Sequence, residues 1–478
     1  MKKLSIFLER PCSPLAPLLL IMFVSLGRLL LEYAIYSTRL SAMAALRDLL
    51  TMTIFYTVMF FMFTALFMLV LSRSFAAVAK LVCVGLLAGL LPPLLSLFFP
   101  IDTTTRYIYF SSFTWSLFAP EQPVSESLTI WMVISACGVF AAQVSKSIIR
   151  SIITVLGAYA IFQGCSLVFL AIKIHTFQPE APVNLAFMGL SFFCYLGMRM
   201  KRLYGSLIRL FHALPHALLV LCGAAWSGQP LEGTVSRIGF IILVVFFMIV
   251  QNDHYDRKED NPSAGRGRAE HLDVVWTNFF MILLFIWTLR VSPAMALVLA
   301  LLFLTGLLYH HPAVRLKTRF CLSYKLEGVS GLLAFLAGAV AKASFQKDRS
   351  LLLPGILVFL GATVLSIPKD WKDVEADAGA GIPTYYVILS RAGRNLVTIH
   401  RWIVAMVTLC LLIPPLSFSV AGGTSWRYLA LAATALAPGA ALLLFTSKRL
   451  AVAAYLLLLA SYLFFLALAT AAFWTLAS

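Results

Sequence analysis

The stretch IGFIILVVFFMIV at residues 238–250 runs directly into QNDHYDRKED at residues 251–260. The first part is an unbroken apolar run, which predicts a buried or membrane-embedded helix. The second part is suddenly dense in acidic residues, so the helix is expected to end in an acidic segment. This junction therefore predicts a cluster of charged side chains at the end of a membrane helix, where they could form a functional site.

Three polar side chains of the acidic segment stand four residues apart: Asn252, Asp256 and Asp260. If the helix continues, they line one face, whereas Asp253 points off that face. Carboxylates so close together repel one another, and apolar surroundings strengthen the repulsion. The spacing therefore predicts a bound divalent cation. Oxygen ligands favour Mg²⁺, which completes its shell with water and phosphate oxygens.

A second acidic segment, KDWKDVEAD at residues 369–377, follows another apolar run at residues 351–367. Asp370, Asp373 and Asp377 are spaced three and four residues apart, which again predicts one helical face. Two acidic helix ends of this kind are suited to hold two metal ions around one diphosphate.

The composition identifies the class of protein: of 478 residues, 61% are hydrophobic and 12% are charged, with a mean hydropathy of +0.92. Such values are typical of an all-α integral membrane protein and exclude an ordinary soluble domain. The net charge of +17 does not indicate nucleic-acid binding, because the basic residues lie in short loops between apolar runs. The eight cysteines are scattered without a CxxC pair, which argues against a redox or zinc site.

About fifteen transmembrane helices are predicted, at roughly 20 apolar residues per span. The basic residues concentrate in alternate loops, so the positive-inside rule predicts a multi-pass protein of the cell membrane with both acidic segments on the cytoplasmic face. The sixth segment is short, but omitting it would move those segments and the basic residues at 199–209 outside. The predicted segments are residues 13–35, 50–72, 75–99, 128–145, 150–172, 183–198, 208–226, 238–252, 274–291, 293–309, 322–341, 351–368, 401–420, 428–446 and 450–475.

Three motifs are similar to those of the UbiA superfamily of intramembrane prenyltransferases. Asn252-Asp253-x-x-Asp256-x-x-x-Asp260 matches its NDxxDxxxD motif, and Asp373-x-x-x-Asp377-x-x-x-Gly381-x-x-Thr384 matches its second motif. Between them, YHHPAVRLK at residues 309–317 looks like the family's YxxPPxRLK loop, with alanine in place of one proline. The resemblance extends from about residue 199 to the C-terminus and implies a bundle of about nine helices there. His310 and His311 are interpreted as ordinary loop residues.

The resemblance implies a role for each motif. A prenyl diphosphate ionises when its diphosphate leaves, and metal ions and basic side chains stabilise the charge that develops. The expected Mg²⁺ ligands are Asn252, Asp256, Asp260, Asp373 and Asp377, with Asp253 and Asp370 as second-choice ligands. The expected diphosphate-binding residues are Tyr309, Arg315, Lys317, Lys372 and Arg257. Of the ligands, Asp256 and Asp377 are expected to matter most for catalysis.

The expected activity is Mg²⁺-dependent transfer of a polyprenyl group from its diphosphate to an aromatic or lipid-like acceptor within the membrane. The apolar bundle would hold the isoprenoid tail and keep water from the cation. Two alternatives stay open: a terpene cyclase of the same superfamily, and a transporter that uses the carboxylates for ions or lipids. Transporters usually place such groups near the bilayer midplane on broken helices, whereas both motifs are predicted at helix ends.

Residues 1–198 are predicted to form a separate membrane domain of about six helices, which the resemblance does not cover. No constellation of ionisable residues is evident there. Its role is left open between a scaffold, a docking module for a protein partner and a wall that controls lipid access. The boundary with the second domain, residues 199–478, is expected in a short basic linker at residues 199–209.

Overall fold

The computed structural model describes residues 13, 15–36, 42–97, 124–175, 180–227, 229, 231–256, 269–340, 351–421 and 462. These residues are almost entirely helical, and none of them belongs to a β-strand. Nine of the described helices are long and apolar enough to cross a membrane. In the part that the structure describes, the fold is therefore that of an all-α, multi-span membrane protein.

The chain divides into two compact units, Met1–Lys201 and Arg202–Ser478. The first unit contains α1 (Leu15–Tyr36), α2 (Ala42–Leu71), α3 (Phe75–Leu86), α4 (Leu91–Leu95), α5 (Val124–Ser145) and α6 (Ile148–His175). Its last helix, α7 (Glu180–Arg209), continues into the second unit. The basic residues at 199–209 are thus the final turns of a 30-residue helix and not a linker, because no proline interrupts them.

In the first unit, α3 is interrupted by a 3₁₀ turn, Leu87–Leu90, before α4. Pro92 and Pro93 explain the interruption, because neither can donate a backbone hydrogen bond to a preceding carbonyl. The carbonyl of Gly89 accepts instead from the hydroxyl of Tyr56 on α2, at 3.1 Å. A side chain at Gly89 would collide with Tyr56, so glycine is required for this approach.

A buried charged cluster lies beside this interruption, so the expectation that the N-terminal part lacks ionisable constellations is wrong. The Nε atom of Arg28 donates to Glu32 at 2.6 Å, and its Nη1 atom donates to the Tyr56 hydroxyl at 3.1 Å. Its Nη2 atom forms an ion pair with Glu126 in the first turn of α5. Glu126 is 98 residues away in the chain, so only the packing of helices reveals the cluster.

The second unit contains helices of very different lengths. They are α8 (Leu214–Trp226), α9 (Leu231–Tyr255), α10 (His271–Val291), α11 (Pro293–His310), α12 (Leu322–Ala339), α13 (Leu352–Lys369), α14 (Val374–Ala380), α15 (Tyr385–Arg391) and α16 (Leu396–Ala421). Helix α12 is central, because it packs against α8, α9, α11 and α13.

Small residues allow the closest of these crossings, between α8 and α12. A Cβ atom added at Gly223 would overlap the carbonyl of Phe335, and one added at Gly338 would overlap the carbonyl of Val220. The two backbones are therefore in direct contact, as small residues permit in membrane helix pairs. This contact fixes α12, and the loop that leads into α12 carries part of the candidate site.

Each predicted apolar segment that falls on described residues is helical. In three of these helices the apolar part is too short to cross the membrane: Leu214–Trp226, Pro354–Pro368 and Leu396–Cys410. The segments predicted at residues 428–446 and 450–475 lie outside the described residues, apart from Tyr462. The total of about fifteen spans therefore stays a prediction.

Candidate functional site

The first acidic segment lies at the end of α9, where Asp256 occupies a short 3₁₀ turn after the helix. Within the last turns of α9, Gln251 is fully buried and donates to Asn278 on α10 at 2.6 Å. This bond ties the acidic end of α9 to its neighbour. Arg257 and Asp260, two of the predicted site residues, lie outside the described residues.

The carboxylate of Asp253 faces the last turns of α7. Ser206 donates to its Oδ2 atom at 2.6 Å, and Arg209 forms an ion pair with its Oδ1 atom. The Asp253 side chain is only 10% exposed, so the guanidinium supplies the opposite charge that a buried carboxylate requires. In this structure Asp253 is an anchor between α9 and α7.

Asp256 forms an ion pair through its Oδ1 atom with the Nζ atom of Lys317, which follows 61 residues later. Both side chains are largely buried, at 14% and 9% exposure. Lys317 belongs to the basic loop, so an acidic and a basic motif that are distant in the chain meet in space. A charge-assisted bond of this kind is about twice as strong as a neutral one.

Asn252 connects these two ion pairs. With its amide oriented to satisfy its neighbours, the nitrogen donates to Asp256 Oδ2 and to His310 Nδ1, both at 2.6 Å. The amide oxygen accepts from Arg209 Nη2 at 2.9 Å. The acidic end of α9 is therefore one continuous polar network with a cation at each end, Arg209 on one side and Lys317 on the other.

The loop after α11 adopts an unusual backbone that places Lys317 on Asp256. Arg315 has a φ of 44° and Cys321 a φ of 66°, a left-handed conformation that costs a residue with a Cβ atom about 1–2 kcal/mol. The Arg315 amide donates to the carbonyl of His311 at 2.8 Å. Backbone strain that the surrounding structure maintains is concentrated at functional sites in proteins.

The second acidic segment does not continue α13 as a regular helix. A 3₁₀ turn, Asp370–Asp373, separates α13 from α14. Asp370 accepts from the hydroxyl of Tyr324 on α12 at 2.7 Å. Asp373 is exposed and Asp377 is half-buried, so both lie within reach of the solvent at this end of the bundle.

Other residues of the second segment shape its backbone. Gly381 has a φ of 71° and ends α14, a position that favours glycine. The hydroxyl of Thr384 accepts from the amide of Val387 at 3.3 Å and so caps the start of α15. Lys372 lies in the 3₁₀ turn, but its side chain is outside the described part of the chain.

A small core holds the second acidic segment in place. It consists of Trp371, Val374, Tyr386, Val387 and Ile399. Trp371 stacks on His400 with ring centroids 4.4 Å apart, and the Tyr386 hydroxyl lies 2.9 Å from His400 Nδ1. Burial, and then the nearby Asp370 carboxylate, raise the pKa of the Tyr386 phenol far above its ordinary value. This phenol therefore stays neutral within its core.

The two acidic segments lie at the same end of the second unit. Helices α9, α11 and α13 end there and α12 begins there, as the contacts of Asp256 with Lys317 and of Tyr324 with Asp370 require. Tyr309 lies in the last turn of α11, which leads into the basic loop. The basic loop and the start of α12 thus connect the two acidic segments.

The donor atoms at the end of α9 fit Mg²⁺. Among the described residues, no three His, Cys, Asp or Glu side chains are grouped closely enough to hold a metal ion by themselves. Protein sites commonly bind Mg²⁺ through one or two carboxylates, while water and phosphates fill the other positions. Asp256 offers hard carboxylate oxygens and Asn252 an amide oxygen, and the two side chains contact each other through the Asn252 nitrogen, so a complete protein cage is not needed.

Four residues that the sequence does not single out contact the predicted site residues: Ser206, Arg209, His310 and Tyr324. In the sequence, Arg209 is one of several basic residues that set membrane orientation, and His310 is an ordinary loop histidine. The three-residue spacing of Ser206 and Arg209 places both on one helix face. Their pairing with Asp253, up to 47 residues away, depends on packing.

The fold and the site define a class of protein: an all-α membrane protein whose second unit carries a charged network at one end of its helices. No family model, no curated protein and no solved structure matches this chain. Its function must therefore be argued from the site itself.

Proposed function

We propose that this chain is a Mg²⁺-dependent intramembrane prenyltransferase, which moves a polyprenyl group from its diphosphate to an aromatic or lipid-like acceptor. The observation that carries the proposal is the contact between Asp256 and Lys317. It joins the acidic end of α9 to the basic loop, and a diphosphate site needs both a metal ligand and a cation for the phosphates. The similarity of the three motifs to those of the UbiA superfamily supports the same activity.

In this proposal Asn252 and Asp256 hold metal from the first segment, and Asp373 and Asp377 hold it from the second. Asp260 completes the first set. When bound, Mg²⁺ neutralises the charge that develops on the departing diphosphate. The two sets extend from the same end of the second unit, which suits a diphosphate bound between them.

Lys317 changes its partner in this scheme. In the structure it is the counter-charge of Asp256. If the Asp256 carboxylate held a metal ion, the Lys317 ammonium group would be available to a diphosphate oxygen. Because the side chain is largely shielded from water, its attraction for a phosphate is stronger than at the surface. Tyr309, in the last turn of α11, and Arg315, in the basic loop, are the next contacts for the diphosphate, and Arg257 and Lys372 are the further candidates.

The second-choice ligands act as anchors in this proposal. Asp253 is held by Ser206 and Arg209, and Asp370 by Tyr324. These bonds orient the backbone on which the metal ligands stand. A carboxylate with such partners is a weaker candidate for metal binding than Asp256, because Lys317, the partner of Asp256, is also proposed to bind the diphosphate.

The remainder of the substrate is apolar. Its isoprenoid tail lies among the membrane helices, which exclude water from the allylic cation, and the acceptor enters from the bilayer. The positive-inside rule favours the cytoplasmic side for this end of the second unit, because its loops are basic.

The test uses full-length protein in lipid nanodiscs with prenyl diphosphates of several chain lengths. We expect diphosphate release that requires Mg²⁺ and increases when a membrane lipid extract supplies acceptor. Asp256→Asn should lower turnover by more than about 10²-fold, the typical loss for one electrostatic contact. Glu375→Gln, at an exposed carboxylate in the second segment, is the matched control and should keep normal turnover.

Two outcomes would change the conclusion. Release of diphosphate with a cyclic hydrocarbon product and no need for acceptor would make the protein a terpene cyclase. No release with any chain length, in the presence or absence of the extract, would contradict the enzymatic function.

A further inference from the structure

The junction of α15 and α16 carries cations without acidic partners. Three exposed arginines lie there: Arg391 at the end of α15, Arg394 in the turn and Arg401 in α16. No ion pair in the described part of the chain involves any of them. Residues 378–478 contain no Asp or Glu at all. A counter-charge for these arginines is therefore absent from their own part of the chain.

The turn between the two helices brings Arg391 and Arg394 to one corner of the fold. The Arg394 amide donates to the carbonyl of Leu389 at 3.2 Å, and the Gly393 amide donates to the carbonyl of Ser390 at 3.0 Å. Gly393 has a φ of 76°, the left-handed conformation in which helices commonly end. Helices α15 and α16 also pack against each other, so this corner is fixed from both sides.

Helix α16 has an exposed face that is polar at its start and apolar further along. The residues of this face are spaced four, four and three apart, which places them on one side of the helix. They are Thr398, Trp402, Met406 and Leu409. The last three are 68%, 55% and 60% exposed. Arg401 follows Thr398 by three residues, so it lies beside the same face.

The change from polar to apolar marks the level of the membrane surface on this face. Residues 402–421 are uncharged, and Trp402 begins them, at a position where tryptophan is enriched in membrane helices. Helical side chains tilt towards the helix N-terminus, so the Arg401 guanidinium extends back towards Arg394 and the polar region, as arginine does at membrane interfaces. The face thus offers cations for a phosphate, followed by an apolar strip.

We propose that this exposed face of α16 binds one anionic phospholipid of the surrounding bilayer. Arg394, Thr398 and Arg401 contact the phosphate and the rest of the charged headgroup, with Arg391 beside them. One acyl chain lies along the apolar strip that begins at Trp402. Clusters of basic residues next to membrane helices attract anionic headgroups in this way, whereas a zwitterionic headgroup would add a further cation to the cluster.

The start of α16 contributes side chains to this site and not backbone amides. The Oδ1 atom of Asn395 accepts from the amides of Val397 and Thr398, at 2.9 and 3.3 Å. These amides are therefore already paired within the protein. The headgroup must be recognised by the arginine and threonine side chains, so neutralising the arginines should remove the preference for an anionic lipid.

The opposite face of α16 connects this lipid site to the second acidic segment. His400, next to Arg401, stacks on Trp371, and Ile399 belongs to the small core around Trp371. A lipid that binds the folded protein stabilises it. The anionic lipid should therefore raise the stability of α16 and of the core that holds the second acidic segment. The proposal itself does not depend on prenyl transfer.

The test uses Trp402 as a reporter in the full-length protein. The protein is reconstituted in phosphatidylcholine with brominated acyl chains, which quench tryptophan fluorescence on contact, and unbrominated phosphatidylglycerol is added as the anionic lipid. The Trp402 signal is the difference between the wild type and Trp402→Phe. Each arginine near an anionic lipid contributes about a fivefold preference. Phosphatidylglycerol should therefore displace the quencher from Trp402 about 25-fold more effectively than unbrominated phosphatidylcholine does.

The double variant Arg394→Gln/Arg401→Gln should bring this preference close to one. The matched control is Arg319→Gln/Lys325→Gln, which removes two exposed cations of the same unit outside the site and should keep the preference. Phosphatidylglycerol should also raise the thermal unfolding midpoint of the wild type and the control by a few degrees.

Three results would overturn the proposal. The first is equal displacement of the quencher by the two unbrominated lipids in the wild type, a measurement that does not depend on the folding of any arginine variant. The second is a preference that persists in the double variant. The third is a Trp402 signal that no brominated lipid quenches, which would show that protein and not lipid covers this face.

Discussion

Replacing Asp256 by Asn should destabilise the second unit, although the spacing of the acidic residues alone suggests the opposite. From the spacing, neutralising one carboxylate relieves repulsion, and stability without metal should not fall. In the structure, however, Asp256 is the counter-charge of Lys317, and both side chains are largely buried. The substitution therefore leaves an ammonium group without its partner carboxylate.

The size of the effect follows from this pair. Removing one partner of a buried ion pair typically costs about 3–5 kcal/mol. Asn keeps a carbonyl that can accept from Lys317, and a neutral hydrogen bond is about half as strong as a charge-assisted one. We therefore expect Asp256→Asn to lower the free energy of unfolding by about 2 kcal/mol.

The assay is a double-mutant cycle in EDTA with Asp256→Asn, Lys317→Met and the double variant, unfolded in mixed micelles and followed by circular dichroism. The coupling free energy should be at least about 2 kcal/mol, with the double variant more stable than Lys317→Met alone, because Lys317→Met leaves the Asp256 carboxylate without its counter-charge. Glu375→Gln should unfold like the wild type. A coupling free energy near zero, with Asp256→Asn as stable as the wild type, would refute the argument from the ion pair.

Three further predictions address topology, separability and packing. Cysteines introduced at the exposed positions His311 and Asp373 should react with a membrane-impermeant reagent from the same side as the N-terminus; labelling from opposite sides would separate the two acidic segments. Deletion of residues 1–190 should leave some Mg²⁺-dependent diphosphate release, because the last turns of α7 that hold α9 are kept; a folded but inactive product would assign the first unit a part in catalysis. Gly338→Ala should lower the free energy of unfolding by about 1–3 kcal/mol through overpacking. The control Gly379→Ala, with open space around its Cβ position, should leave the free energy of unfolding unchanged. Equal free energies of unfolding for the two variants would show that the crossing of α8 and α12 is looser than described.

The helical class of the protein was predictable from the sequence because lipid leaves few alternatives. A long apolar run must satisfy its own backbone hydrogen bonds, and the α-helix does so within one segment. Helix ends were less predictable. The break before Pro92 and Pro93 follows from local chemistry, but the continuation of α7 through residues 199–209 contradicts the linker that their charge suggests.

By itself, the sequence determined which residues carry charge at the ends of apolar helices and that Asn252 and Asp256 share a helix face, whereas the single face predicted for Asp370, Asp373 and Asp377 is broken by a 3₁₀ turn. It did so because spacing along one helix depends only on local geometry. The tertiary structure decided the partners: Lys317 for Asp256, Arg209 for Asp253, and Glu126 for Arg28. These pairs join different helices, and their formation depends on how the helices cross and on their register. That geometry is set by contacts such as the glycine crossing of α8 and α12, which no single segment contains.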